Sequence, residues 1–381
     1  MTLLLLAKTL TVLGVLLVGL VPLTAWLERR QSALMQDRVG PARVNVATAT
    51  LGGLLQPLAD AIARLAKESV RPRGADRVLH ALAPALALVP VIVMVAVIPF
   101  GARYTIGSTT LSLVLADADA GVLWFFALST LSGLGFVLAG WSSNSDYALL
   151  GAVRAGAQTV SCQIAMALSL VPMFAIYGTL RLSDMGLVQD RSIGLGGLLS
   201  NLDLGVAAEW LSLPAWGIVQ NPVCFATFLL CAMAASRQPP FDSSSAGSEI
   251  AGGHTVEYSG VGLGLFQLAG VVQLVVIAGI VTAVFLGGSA IPWLSQDRII
   301  SAVSGFYGEG FATLICMGAH AIAFLLKLVS VIVLQVVLRG SMPRLRDDQL
   351  MDWLWKGMMP LALLNIFATG FVLVAVGGGG G

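Results

Sequence analysis

Gly260–Leu286, GVGLGLFQLAGVVQLVVIAGIVTAVFL, decides the fold. It carries no Asp, Glu, Lys or Arg. About 20 apolar residues suffice to cross the hydrocarbon core of a bilayer as a helix. Working outward, seven more runs of this kind are found, roughly 3–26, 79–100, 121–141, 153–177, 217–235, 310–338 and 354–376. The predicted fold class is therefore an all-α integral membrane protein with about eight transmembrane helices, read as a single membrane domain over residues 1–381. Composition agrees. Of 381 residues, 57% are hydrophobic and only 11% charged, where a soluble domain is typically ~25% charged. A net charge of +1 excludes a protein built around a basic nucleic-acid face. The four cysteines, Cys162, Cys224, Cys231 and Cys316, lie in apolar runs without CxxC spacing, so they read as small core residues. The first run has no basic start and is too long for a signal peptide, so it is taken as a true span.

The basic residues set an orientation. Arg29, Arg30, Arg38, Arg43, Arg64, Lys67, Arg71, Arg73 and Arg77 follow the first span, and Arg154, Arg237, Arg339, Arg344, Arg346 and Lys356 fall on the same side. The other side has only Lys8, Arg103, Arg181, Arg191 and Arg298. The positive-inside rule then puts the first side in the cytoplasm, with loops near 27–78, 142–152, 236–259 and 339–353, and both termini outside. In the first of these loops Leu55, Leu58, Ile62 and Leu65 recur at helical spacing, opposite Asp60, Arg64, Lys67 and Glu68. This predicts an amphipathic helix over 56–68, either inserted in the membrane surface or capping the bundle. Opposite charges gathered on one membrane face can form a docking floor for a soluble partner, or be ordinary solvated loop charges. The low-complexity tail Gly377–Gly381 reads as a flexible end.

Lys327 stands inside a span, where a cation is costly and must face a partner or a wet cavity. It can relay protons from a lowered pKa or simply form a structural pair. Gln163, Gln267, Gln273 and Gln335 are also inside spans and are expected to hydrogen-bond between helices. Gly260, Gly262 and Gly264 follow no strand, so they are spaced for close packing and not for phosphate binding. No catalytic triad, nucleophile elbow or metal cluster is present in the pattern, and no metal is expected.

Five ordered motifs carry a resemblance. They are Glu28–Pro41, similar to a family ERR…Q-x-R-x-G-P loop; LLQPLAD at Leu54–Asp60, with Lys67-Glu68 and Ala75-Asp76 after it; and WSSNSDYALLGAVR at Trp141–Arg154, continuing through Ala157–Gln163. The last two are Pro240-Phe241-Asp242 with EYSG at Glu257–Gly260, and MPRLRDDQLM at Met342–Met351 with Trp355-Lys356. Over nearly the whole chain they resemble the H (first) membrane subunit family of complex I, the proton-pumping NADH:quinone oxidoreductase. The resemblance implies a bacterial inner-membrane protein at the joint between the hydrophilic and membrane arms. It implies a share in a long quinone chamber, its mouth framed by the first span, the surface helix and the sixth span, and the start of a polar path to remote pumping. Other complex I subunits and the lipid bilayer are the implied partners, with no nucleic acid. Quinone is shared and nothing is bound covalently, while flavin and iron–sulfur clusters belong to partner subunits. By matching motifs, Glu28, Arg29, Gln36, Arg38, Asp60, Asp242, Glu249, Glu257 and Lys327 are chamber or coupling candidates, and Arg344, Arg346 and Asp348 are docking candidates.

The chain also departs from the family pattern. Where the family reads I-S-Y-E, this chain has Val160-Ser161-Cys162-Gln163; where it reads F-D-x-P-E-A-E-x-E-L, Ser245 and Gly247 replace two glutamates and Glu249 stays. Gly270 aligns with a frequent glutamate, and Gln238 stands where an arginine precedes the P-F-D run. Glutamine, serine and glycine do not titrate, so the expectation is a divergent member with weakened or altered proton coupling. An alternative within the same superfamily is the membrane anchor of a membrane-bound hydrogenase-type complex. A stand-alone transporter would show broken helices in two corresponding halves, which the sequence lacks.

Overall fold

A computed structural model describes residues 2–42, 44, 52–106, 109–190, 192–193, 213–292, 296, 299–301 and 309–377. Arg43, Arg191, Arg298 and the glycine tail from Gly378 onward lie outside the described residues.

The described helices are, in order, α1 (Thr2–Gly14), α2 (Val21–Met35), α3 (Gln56–Ala66), α4 (Arg77–Met94), α5 (Gly121–Ser143), α6 (Asp146–Tyr177), α7 (Leu182–Gln189), α8 (Gly217–Gln220), α9 (Pro222–Ala235), α10 (Gly247–Ile250), α11 (Gly260–Phe285), α12 (Glu309–Ser341), α13 (Asp347–Asp352) and α14 (Met359–Gly377). A π-helical turn, Val15–Leu20, joins α1 to α2. Two small antiparallel hairpins complete the described structure, β1 (Arg103–Ile106) with β2 (Thr109–Ser112), and β3 (Ser192–Ile193) with β4 (Leu213–Pro214).

Seven helical stretches are long and apolar enough to cross a membrane. The run expected at 217–235 is built differently. Asn221 breaks it, its side chain accepting a hydrogen bond from the Cys224 N–H at 3.0 Å, and Pro222 occupies the first turn. Those two residues start a fresh helix of 14 residues, about 21 Å long and shorter than a full span. Other boundaries follow the same local chemistry. Asp76 caps α4 by accepting from Val78 and Leu79 N–H groups at 2.9 and 3.1 Å, and α6 stops at Gly178, whose φ of 66° suits glycine.

The surface helix forms as α3, two residues shorter than expected. Leu58, Ile62 and Leu65 are exposed, and no residue of α3 is buried. Its polar side faces the bundle: Arg64 lies against Gly264 of α11. The apolar stripe therefore points away from the protein.

Helix α11 is the axis of the fold. Every residue from Val272 to Phe285 is buried, as expected of a helix that is apolar all round. Its C-terminal carbonyls cannot turn to water, yet each helix end leaves such groups unpaired. Side chains from three other elements supply the partners. Gln189 Nε2 donates to Ala283 O at 2.9 Å, and the Tyr177 hydroxyl donates to Val284 O at 3.0 Å. Lys327 Nζ donates to the carbonyls of Leu286, Gly288 and Ala290 at 2.7, 3.2 and 2.6 Å. The ammonium also sits 4.6 Å from the centre of the Trp216 ring. An ammonium has three protons to donate, and here they meet three acceptors. Of the other glutamines inside spans, Gln163 bonds Ser129 at 3.1 Å and Thr130, and Gln273 bonds Ala235 O at 3.2 Å, as expected. Gln267 is exposed instead. Gln335 is 2% exposed and its amide has no hydrogen-bond partner within the protein.

Gln189 is the most heavily used of these caps. Its Oε1 also accepts from the Gly287 and Gly217 N–H groups at 2.8 and 3.2 Å. A Gln189→Leu variant strands three buried backbone groups, and the chain is expected to lose about 3 kcal/mol of stability. This would be measured as an earlier heat-induced loss of the folded chain in mild detergent; an unchanged midpoint would refute the capping role.

Candidate functional site

On the arginine-rich face, the chain turns back on itself after α2. Asp37 adopts φ 49° and Arg38 N–H bonds Ala33 O at 2.9 Å, which ends the helix. The following loop folds under α2, so that Gly40 packs on Arg30; a Cβ there would lie 3.1 Å from its side chain. Gly53, at φ 82°, meets Pro41 so closely that a Cβ would overlap its carbonyl. These two glycines let the segments before and after the loop close around a cavity of about 520 Å³, a size typical of small-molecule pockets.

The cavity is lined by Glu28, Arg29, Ser32 and Ala33 of α2, by Arg38–Ala42, by Gln56 of α3 and by Arg339 of α12. Two ion pairs cross its walls. Glu28 meets Arg339 at 2.7 Å, joining the first and last thirds of the chain. Arg29 pairs with Asp60, whose other oxygen accepts from Gln56 Nε2 at 3.0 Å. Gln36 orients Arg38, accepting from its Nε at 2.7 Å. The expected chamber residues Glu28, Arg29, Gln36, Arg38 and Asp60 thus gather at one site. One expectation is corrected. The sixth span, α11, does not line this cavity; Arg339 of α12 takes that wall. Gly260 and Gly264 instead press α11 against the segment Arg64–Glu68, which places the surface helix between α11 and the opening.

The remaining candidates lie apart from the cavity. Asp242 pairs with Arg344 at 2.9 Å, and Leu345 N–H bonds Pro240 O at 3.1 Å, so the two late loops on this face are stitched together. Glu249 pairs with Arg154 at 2.7 Å, and the same guanidinium lies 4.0 Å from Asp347. Glu257 is half-buried next to Tyr258, whose ring stacks on His80 at 4.0 Å. Arg346 and Asp348 form a two-bond pair, both contacts at 3.0 Å, and both side chains remain largely exposed. Lys327 stands on α12 twelve positions before Arg339, about 18 Å along the helix.

The replaced positions are accommodated without charge. Gln163 is satisfied by its bonds to Ser129 and Thr130. Ser245 ends a short 3₁₀ turn, Ser243–Ser245, and Gly247 is exposed with open space around it. Gly270 lies beside Gln238, its would-be Cβ 3.4 Å from Nε2, while Gln238 Oε1 accepts from Arg339 at 2.8 Å. The sequence reading missed Gln56 and Arg154 as members of these groups, because nothing local marks a residue whose partner is distant in the chain. It also missed Arg237, which is buried over the Phe136 ring at 4.2 Å and donates to the Thr159 hydroxyl. Burial lowers its pKa to about 10, so it stays charged at neutral pH. An arginine immediately after an apolar helix was the available signal. Among the described residues no group of His, Cys, Asp and Glu is placed to hold a metal ion.

The sequence signature of the NADH dehydrogenase family matches residues 7–370. The chain is 42% identical over 349 residues to the second of two NADH-quinone oxidoreductase H subunits of Geobacter sulfurreducens, covering 92% of this chain and 90% of that one. It is 40% identical over 347 residues to the first NADH-quinone oxidoreductase H subunit of Geobacter metallireducens (91% and 90%). It is also 36% identical over 356 residues to the NADH-quinone oxidoreductase H subunit of Thermomicrobium roseum (93% and 92%).

Burial of the late loops has a pH signature. His254 is buried between the edges of Phe136 and Phe266, and its Nδ1 lies 3.1 Å from Ser244 O. Burial first, and the Arg237 charge second, lower its pKa from 6.5 to about 4. The unfolded chain therefore binds more protons than the folded one between these values. Stability is complete above pH 6.5 and falls on acidification toward pH 4, by up to about 1 kcal/mol per pH unit. Heat stability followed across this window should show that slope, and His254→Gln should flatten it; an equal slope in both proteins would assign the effect elsewhere.

Proposed function

The chain belongs to the family of NADH-quinone oxidoreductase H subunits, and on that premise we propose that it forms part of the quinone chamber of a complex I-type oxidoreductase, at the junction of its hydrophilic and membrane arms. The carrying observation is the cavity walled by the Glu28–Arg339 and Arg29–Asp60 pairs. A quinone head group presents two carbonyl oxygens and needs N–H donors. Arg29, Arg38, Arg339 and Gln56 offer them around one opening. The carboxylates hold those guanidinium groups in place, so that they need not reorganise when a head group passes. No redox centre is assigned to this chain. Electrons reach the quinone from flavin and iron–sulfur clusters in partner subunits, and this chain alone catalyses nothing.

The arginine-rich face is the cytoplasmic one, and both termini lie outside, in the inner membrane of a bacterium. Soluble quinone-site subunits dock on that face, with the exposed Arg346 and Asp348 available to them and Arg344 holding the loop through Asp242. Small membrane subunits pack along the spans. Asp242, Glu249 and Glu257 brace the loops behind the chamber, and Lys327 keeps α12 in register with α11.

In the assembled oxidoreductase, Glu28→Gln or Arg339→Met leaves its partner charge unpaired beside the cavity. NADH-to-quinone turnover should fall about tenfold or more, while electron transfer from NADH to an artificial acceptor at the flavin stays unchanged. Unaltered kcat and KM for quinone in both variants would remove the chamber role.

The missing acids give a second expectation. Gln163, Ser245, Gly247 and Gly270 carry no proton that could respond to quinone chemistry, so coupling to proton movement is weakened or differently routed. The neutral bonding of Gln163 and the contact of Gly270 with Gln238 support this reading. Restoring glutamate at all four positions should raise the number of protons moved per electron in reconstituted vesicles. An unchanged ratio with normal quinone turnover would count against altered coupling.

A further inference from the structure

Beneath the chamber, on the inner side of Arg339, is a second and much smaller cavity. Its volume is about 10 Å³, room for the centre of one water molecule. Met233, Ser236, Gln238, Pro239, Leu274, Ile277, Gln335 and Arg339 enclose it. Leu274 and Ile277 continue the face of α11 that starts at Gly270, where no side chain projects.

Gln335 is what makes this cavity a site. It is 2% exposed, and neither its amide nitrogen nor its amide oxygen has a hydrogen-bond partner within the protein. Buried amides in a membrane bundle are otherwise paired, because no lipid can take the place of water. Gln335 lines the cavity together with Arg339, which has N–H groups to give, and Gln238, whose Nε2 is the atom next to Gly270. The site thus offers donors and an acceptor to a neutral molecule that both donates and accepts. The adjacent guanidinium disfavours a metal cation, and the Glu28 carboxylate on the far side of Arg339 disfavours an anion.

We propose that this cavity binds one ordered water, held by Gln335 and by Gln238 or Arg339. It carries hydrogen bonding from the Glu28–Arg339 pair inward along α12. Glu28, Arg339, the water and Gln335 then form an unbroken polar branch leading from the large cavity toward the interior of the bundle. That this branch leaves a quinone chamber rests on the reading above; the binding of the water does not.

The test is a cryo-microscopy map of the whole assembly, sharp enough to show ordered water, for wild type and Gln335→Leu. The expected wild-type result is a peak within hydrogen-bond distance of the Gln335 amide and of Gln238 or Arg339. In Gln335→Leu the peak should be lost while Glu28 and Arg339 stay paired. Gln335→Met serves the same purpose if the leucine variant fails to assemble, and the wild-type map alone is already decisive. A dry cavity, a Gln335 amide bonded directly to protein, or a peak at metal-coordination distance each overturns the proposal. Because the readout is the water itself, it stands or falls separately from the quinone kinetics of Glu28→Gln.

Discussion

The carbonyl groups at the end of α11 have no access to water, and the packing of the bundle follows from how they are satisfied. Ala283, Val284, Leu286, Gly288 and Ala290 each receive a side-chain hydrogen bond from Gln189, Tyr177 or Lys327. In hydrocarbon, lipid tails draw two helices together no better than they solvate either one, so polar contacts and close packing must hold the bundle. These caps come from α7, α6 and α12, which fixes three elements against the one helix they share. Lys327 is then best understood through its neighbours. Its charge rests against a helix C-terminus, where the backbone dipole is negative, and against an aromatic face.

On the arginine-rich face the same constraint takes an ionic form. The loops there are short of apolar residues, so they hold one another through charge pairs between distant parts of the chain. Glu28 to Arg339, Arg29 to Asp60, Arg154 to Glu249 and Arg344 to Asp242 are each such a bridge. Isolated pairs on an exposed surface contribute little stability. Their value here is geometric: they set the walls of one cavity and leave Arg346 and Asp348 outward. Buried Arg237 and neutral His254 show how far this polar layer extends into the protein.

Where carboxylates are missing, the structure has not left gaps of charge. Gln163 finds hydroxyl partners on α5, and Gln238 turns to Arg339 where Gly270 offers no side chain. Neutral hydrogen bonding preserves the packing of the scaffold while removing groups that could titrate. Stability and proton handling are in this way separable, since the first needs only satisfied donors and acceptors and the second needs a movable proton.

The fold class, most of the spans and the surface helix were legible in the sequence, because apolar length and helical period are local properties that a bilayer reads directly. So were most members of the cavity, since Glu28, Arg29, Gln36 and Arg38 share one short motif. The break at Asn221-Pro222 was written there too, in a capping side chain and a proline, but an apolar run hid it. What only the tertiary structure decided is pairing over distance. Arg339 closes the cavity in place of α11, Lys327 caps a helix end, and Gln335 faces a cavity without a protein partner. Each depends on which helix faces which, and hydropathy carries no information about the facing of helices in a medium where all apolar faces are nearly equivalent.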